Sequence, residues 1–429
     1  TYRIANLIEN GVAPWHILAL TFTNKAAREM KDRVARLVGS DVEEMWLGTF
    51  HAVCVRILRR DIEKIGYQRS FSIYDDDDQT RVIKDALKAL HYDEKQFPPR
   101  EIRAKISDAK NRMLSPDEWF QESPRDYRSQ HIHDVMRYYE ERLHNANALD
   151  FDDLLLCTLQ LFVEHPPVLD YYRQKFTHVH VDEYQDTNQA QYTFVRLLTQ
   201  YSRNLCVVGD DDQSIYGWRG AQISNILDFE SFFPNPTVIK LEENYRCTRQ
   251  VLDCANELIR HNAGRRDKTL RTNKEGKHPV RLLAMPGSEE EAEFIADEIE
   301  TLRARDSLAW EDFAILFRAN AQSRQLEMAM REHHIPYRMV GTKSFFDRRE
   351  VKDLLSYLQM MDNPDADLHL LRVLNTPPRG ISPTTASFAI DWSRDNKKSL
   401  WATLVDISFL SECSTRSQNC ITAFTDIVT

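Results

Sequence analysis

The chain has 429 residues, 42% hydrophobic and 28% charged, with a formal net charge of −10. This is an ordinary globular composition, of roughly two to four domains on length alone. It excludes a membrane span, because the longest apolar run, Leu154 to Val163, is short and contains Thr158 and Gln160. The seven cysteines form no Cys-x-x-Cys pair and no histidine cluster has zinc-ligand spacing, which argues against structural zinc and for reduced thiols. The acidic balance leaves only local positive charge, in a cleft, for any nucleic-acid partner.

From the N-terminus, Tyr2 to Glu9 reads as a short helix ended by Gly11 and Pro14, and Ile17 to Phe22 as a buried strand. Thr23 or Asn24 caps the next helix, Lys25 to Val38, which Gly39 closes. Its apolar face is Ala26, Ala27, Met30, Val34 and Leu37. Phe22 therefore stands at a strand end beside a helix N-terminus, where a phosphate backbone can be held. A core phenylalanine is the alternative. Gly48-Thr49-Phe50-His51 is a second capped helix start.

From Ile73 to about Ala148 the chain becomes helical and highly charged, broken at Pro98-Pro99, Pro116 and Pro124. This predicts an inserted helical domain with a solvated surface. At Leu149-Asp150-Phe151-Asp152-Asp153-Leu154 the main domain resumes. Asp150 is a helix cap there, with Phe151 either packed inward or presented outward.

The stretch His178 to Ala221 organises the rest. A strand runs into Asp182-Glu183-Tyr-Gln185-Asp186, and a second strand runs into Gly209-Asp210-Asp211-Asp212-Gln213-Ser214-Ile-Tyr216-Gly217-Trp218-Arg219-Gly220-Ala221. Ligands bind at the carboxyl ends of strands in an open α/β sheet. An Asp-Glu pair there suits nucleotide hydrolysis: the Asp holds Mg²⁺ and the Glu takes a proton from the attacking water. Gln213 can sense a phosphate, and Tyr216, Trp218 and Arg219 suit stacking on bases.

Thr237 to Leu241 is a further predicted strand, leading to Glu242-Glu243-Asn244-Tyr245-Arg246. Arg246 suits charge on a transferring phosphoryl group, or else pairs with Glu242 or Glu243. A second α/β unit follows. Its first helix carries Val251, Leu252, Ala255, Leu258 and Ile259, then comes a flexible basic loop at Arg265-Arg266-Asp-Lys268. Strands are predicted at Val280–Met285 and Phe313–Phe317, around an amphipathic helix from Glu289 to Arg305. The second strand ends in Arg318-Ala-Asn320. Phe345-Phe346 opens a helical, polar region that continues to Thr429.

The words Asp182-Glu183-x-Gln185-Asp186 and Gly209-Asp-Asp-Asp-Gln-Ser-Ile-Tyr-Gly-Trp-Arg-Gly-Ala resemble motifs II and III of superfamily 1 DNA helicases of the UvrD/Rep/PcrA type. Leu20 to Ala27 resembles their motif Ia, Gly48 to His51 motif Ib, and Glu242 to Arg246 motif IV. The resemblance covers nearly the whole chain. It implies RecA-like P-loop NTPase motor domains, α/β with parallel sheets flanked by helices, and helical insertion domains. The segments implied are 1–73 and 149–248 for the first motor domain, 74–148 for its insertion, 249–345 for the second motor domain and 346–429 for a second insertion. It implies ATP and Mg²⁺ as cofactors. Asp182 binds Mg²⁺, Glu183 is the base, Gln213 and Arg246 contact the γ-phosphate, and Tyr245 stacks on adenine. Single-stranded DNA meets Phe22, Thr23, Asn24, Thr49, His51, Phe151, Tyr216, Trp218, Arg219, Arg318 and Asn320.

The implied activity is ATP-dependent 3′–5′ helicase or translocase action in DNA repair or replication. The implied partners are single-stranded DNA, duplex junctions, and repair or replication proteins. A cytoplasmic monomer or weak dimer without membrane contact is expected. The motor part of a helicase–nuclease and a non-catalytic helicase-derived DNA-binding module are the alternatives. No Gly-x-x-x-x-Gly-Lys-[Ser/Thr] loop occurs in the chain, and its 12 glycines do not cluster. The expectation is an internal fragment, lacking that loop and the later motifs, that hydrolyses ATP poorly or not at all.

Overall fold

The structure is a computed structural model and describes residues 1–39, 42, 44–217, 220–276, 278–340 and 349–428, with Asn320 described in its backbone only. The chain divides into two compact units. The first comprises Thr1–Ile239, Gly264–Asp267 and Arg349–Thr429, and the second Lys240–Ala263 and Lys268–Arg348.

The first unit begins with α1 (Tyr2–Glu9), β1 (Ile17–Thr21), α2 (Asn24–Val38), β2 (Trp46–Thr49) and α3 (Phe50–Asp61). Every residue of β1 is buried, as a parallel strand covered on both faces requires. The two-residue period decides which cover each side chain meets. Ile17 and Ala19 pack with Ile4 of α1 and Val34 of α2, while Leu18 and Leu20 pack with Phe50 and Val53 of α3. Thr23 caps α2, its Oγ1 accepting from the Ala26 N–H at 3.1 Å, and Gly39 at φ 87° ends it. Ala27 and Val34 of the expected α2 face are buried, but Leu37 is exposed. Val38 packs instead, because it continues the stripe from Val34 and Leu37 sits at its edge.

Next come β3 (Ser72–Tyr74), α4 (Asp76–Ala89), α5 (Pro99–Asn111), α6 (Pro116–Glu122), α7 (Tyr127–Asn145) and β4 (Ala148–Asp150). The two short strands pair in parallel with Tyr74 opposite Asp150, so this helical stretch departs and returns at one place. It has its own core around Tyr74, Trp119 and Tyr139. The chain then forms α8 (Phe151–Glu164), α9 (Pro166–Lys175), β5 (His178–Val181), α10 (Gln189–Thr199), β6 (Leu205–Val207), α11 (Ser224–Leu227) and α12 (Phe229–Phe232). The main sheet is parallel throughout, in the order β2-β1-β5-β6.

The second unit contains α13 (Arg249–Ile259), α14 (Ser288–Asp306) and α15 (Ser323–Glu332). Ala292, Ala296 and Ile299 of α14 pack against Ala329 and Met330 of α15. The strands expected at 237–241, 280–285 and 313–317 are not formed as strands. A strand needs a neighbour to complete its ladder, and the one bridge among the described residues here joins Glu243 to Arg271. Phe313 and Ile315 still turn toward the helices, but Leu316 is 94% and Leu282 98% exposed. Of the face expected on α13, Leu252 is buried while Val251 and Leu258 face solvent.

The chain closes with α16 (Arg349–Asp362), α17 (Asp367–Val373), α18 (Pro383–Asp395), α19 (Leu400–Leu404), α20 (Ile407–Glu412) and α21 (Thr415–Val428), packed around Met360, Leu370, Phe409 and Phe424. These helices attach to the helical stretch α4–α7 of the first unit. Lys352 reaches Asp75 and Asp77 at 2.8 and 2.9 Å, and Arg142 meets Asp367 at 2.9 Å. Phe345 and Phe346 lie outside the described residues. No described helix is long and apolar enough to cross a membrane.

Candidate active site

The carboxyl edge of the main sheet is where the sequence places its chemistry, and the backbone there is tied on both sides. The Asp182 N–H donates to the Leu20 carbonyl at 2.9 Å and the Tyr184 N–H to the Val208 carbonyl at 3.0 Å. Between them Glu183 adopts φ 53° and ψ 43°, a left-handed conformation uncommon for a residue with a side chain. Burial, and then the charge of Glu183, raise the Asp182 pKa. Among the described residues no Lys or Arg side chain pairs with either carboxylate. A hard oxygen donor raised by burial and a neighbouring carboxylate fits a Mg²⁺ ion at Asp182, which would relieve the repulsion.

The sequence alone assigns Gln185 no role beyond its place in the motif. It is buried, its Nε2 donates to Glu183 Oε2 at 2.9 Å, and its Oε1 accepts from the Asp210 N–H at 3.0 Å. One side chain thus fastens the candidate base to Asp210, in the segment that follows β6. A Cβ at Gly209 would stand 2.6 Å from that Oε1, which is why the position is glycine. Burial and the Glu183 charge also push Asp186 up to about 6. Gln213 ends a short 3₁₀ turn, Asp211–Gln213, and is exposed, with its Nε2 donating to Asp210 Oδ2 at 2.7 Å.

Four of the proposed DNA-facing residues meet as two ring pairs. Phe22 stacks on Tyr216 at 5.2 Å between centroids, and His51 meets Phe151 edge-on at 6.0 Å. Phe22 is half-buried rather than a core residue. Phe151 is 46% exposed, so the inward-packed alternative fails, while Asp150 does cap α8, accepting from the Asp153 N–H at 2.8 Å. Burial lowers the His51 pKa, which disfavours the charged ring. The hydroxyls of Thr23 and Thr49 both serve as helix caps, Thr49 accepting from the Ala52 N–H at 3.3 Å, and Asn24 is exposed. Trp218 and Arg219 lie outside the described residues.

In the second unit Tyr245 is 86% exposed and Arg246 is exposed. Asn244 Oδ1 accepts from the N–H groups of Arg246 and Cys247 at 2.9 and 2.7 Å, a turn that presents both side chains. The alternative pairing of Arg246 with Glu242 or Glu243 is absent among the described residues, and Glu243 pairs with Arg271 at 3.5 Å. Arg318 is exposed, with its N–H donating to Gln322 Oε1 at 3.1 Å, and the Asn320 side chain lies outside the described residues.

The basic loop expected to be flexible is fastened instead. Arg265 grips Asp212 with two bonds of 2.8 and 2.6 Å. The Arg266 N–H donates to Asp211 Oδ2 at 2.8 Å, and its guanidinium reaches Glu230 at 3.1 Å and the carbonyls of Ile226 and Leu227. Asp211 and Asp212 are the partners, but they lie over fifty residues away in sequence.

The UvrD/REP helicase N-terminal domain matches residues 1–234, and the UvrD-like helicase C-terminal domain matches residues 239–408. The ATP-dependent DNA helicase PcrA of Staphylococcus epidermidis is 46% identical over 425 residues, covering 99% of this chain and 58% of the relative. PcrA of Staphylococcus aureus is 46% identical over 422 residues, covering 98% of this chain and 58% of the relative. The chain spans somewhat over half the length of these curated relatives.

Proposed function

We infer, from the premise that this chain belongs to the UvrD/Rep helicase family, that it provides the base, the metal-binding carboxylate and the base-stacking rings of an ATP-dependent DNA translocase. The reading is a helicase acting 3′ to 5′ on single-stranded DNA and duplex junctions, in cytoplasmic repair or replication. Its polarity rests on the family alone. The motor segments proposed are 1–73 with 149–248, and 249–345, carrying insertions at 74–148 and from 346. The observation that carries the reading is Glu183, held in a left-handed turn beside Asp182 and bonded through Gln185 to Asp210, in the segment that follows β6.

Asp182 would hold Mg²⁺, which when bound supplies a Lewis acid to the phosphate oxygens. Glu183 accepts a proton from the attacking water at its carboxylate, while the Gln185 amide occupies Oε2 and fixes the direction of the other oxygen. Gln213 and Arg246 are assigned to the γ-phosphate and Tyr245 to the adenine face. Arg246 contributes full positive charge where the transition state gathers negative charge. Phe22, Tyr216, His51 and Phe151 offer flat rings to successive bases. Stacking of about 1–3 kcal/mol per base tolerates any sequence, which a translocase requires.

The test is ATP hydrolysis with and without single-stranded DNA, using protein expressed from its complete natural reading frame. Turnover that DNA raises supports the reading. DNA binding without turnover under any condition would replace it with a helicase-derived binding module.

A further inference from the structure

One helical turn bonds to two separate parts of the proposed site and lies close to a third. The last turn of α5 carries Ser107, Lys110 and Asn111, spaced three and four residues apart and so on one face. Ser107 Oγ donates to Asp152 Oδ2 at 2.7 Å. Lys110 Nζ, buried, donates to Asp150 Oδ2 at 2.7 Å and to Asp153 Oδ1 at 2.6 Å. Tyr139 adds a bond to Asp150 at 2.9 Å. The three residues held, Asp150, Asp152 and Asp153, surround Phe151 in sequence. Asn111 Oδ1 accepts from Asn188 Nδ2, two residues beyond the Asp182–Asp186 turn. The Asn111 Cβ lies 3.1 Å from where a Cβ would stand on Gly220, in the turn that follows Tyr216.

The Asn111 side chain is held against its own helix. Its Nδ2 is bonded to its own helix, at 2.8 Å to the Ser107 carbonyl and 3.1 Å to Ser107 Oγ. Asn188 is thus bonded to α5, Gly220 lies close against it, and α5 is fastened to the start of α8. Burial opposes the charge on Lys110, but Asp150 and Asp153 outweigh it and push its pKa up, while burial and Asp150 push Asp153 up to about 7, so Lys110 and Asp150 form the charged pair.

We propose that this turn couples the carboxylate site to the stacking rings, with Asn111 as a positioning residue that acts through Asn188 and Gly220. The proposal rests on the functional reading above. The experiment compares the complete protein with its Asn111→Ala, Asn188→Ser and double variants. Serine keeps the helix cap at 188 but lacks the amide donor. ATP turnover without DNA, its stimulation by a single-stranded oligonucleotide, and melting temperature are measured together. Each single variant is expected to keep its melting temperature and its DNA-free turnover within about twofold, and to lose stimulation about tenfold. The double variant should lose no more than the worse single one. Unchanged stimulation, additive losses, or a parallel fall of melting temperature and DNA-free turnover would each overturn the proposal. A wild-type protein without any turnover removes the functional reading and the proposal together. A stimulated wild type with an unaffected Asn111→Ala removes the proposal alone.

Discussion

The turn at Asp182–Asp186 and the segment Glu242–Arg246 carry complementary parts of the proposed chemistry and are built in contrasting ways. The first is bonded to strands on both sides and braced by a buried glutamine. The second holds its shape by an asparagine turn and one bridge to Arg271, with Tyr245 and Arg246 exposed. A base that must aim at one water works best when it is already rigid before the ligand arrives. A ring and a guanidinium that grip a ligand can be ordered by it, at a cost in binding rather than in folding. Changes on the braced side should therefore appear in stability and turnover, and changes on the open side in ligand affinity.

The largest stability effect expected is from Lys110→Met. It leaves Asp150 and Asp153 buried without their cation, at about 3–5 kcal/mol by denaturant unfolding. His180, on β5 beside the carboxylates, has no partner for either ring nitrogen among the described residues. Burial, with Arg3 nearby, lowers its pKa to about 4. The unfolded chain binds its proton near pH 6.5 and the folded one does not, so stability is full above 6.5 and falls toward 4. Relative to His180→Leu, the wild type should lose up to about 3 kcal/mol across that window in unfolding at stepped pH. Gln185→Ala should lower kcat about 10- to 100-fold with KM for ATP little changed, since Glu183 remains but loses its brace. Thr23→Ala should cost about 1 kcal/mol through the lost α2 cap. Tyr245→Ala should leave the melting temperature unmoved and raise KM for ATP, and a drop in melting temperature would show that the open side is not open.

The same contrast governs what the sequence makes legible. β1, the α2 cap and the two carboxylate turns can be read because each combines a buried apolar run with a polar end. The three-residue strands Ser72–Tyr74 and Ala148–Asp150 cannot, because three residues carry no period. The expected strands at 280–285 and 313–317 are near-continuous apolar runs, yet an apolar run does not supply a neighbour. Arg265 and Arg266 read as a flexible basic loop, and only the fold brings Asp211 and Asp212 to them. Phe151 stays open between two orientations in the sequence because a capped helix start permits both. The structure turns it outward against His51.

The most direct test of the central claim is single-turnover ATP hydrolysis by the complete protein with saturating single-stranded DNA, comparing wild type with Glu183→Gln. Nucleotide binding would be followed in parallel by fluorescence of an adenine-nucleotide analogue. A braced general base at Glu183 requires that the variant bind nucleotide as the wild type does and hydrolyse it about 10²–10⁴-fold more slowly. Hydrolysis within a few-fold of wild type would mean that Glu183 is not the base and that the turn at Asp182–Asp186 serves another purpose.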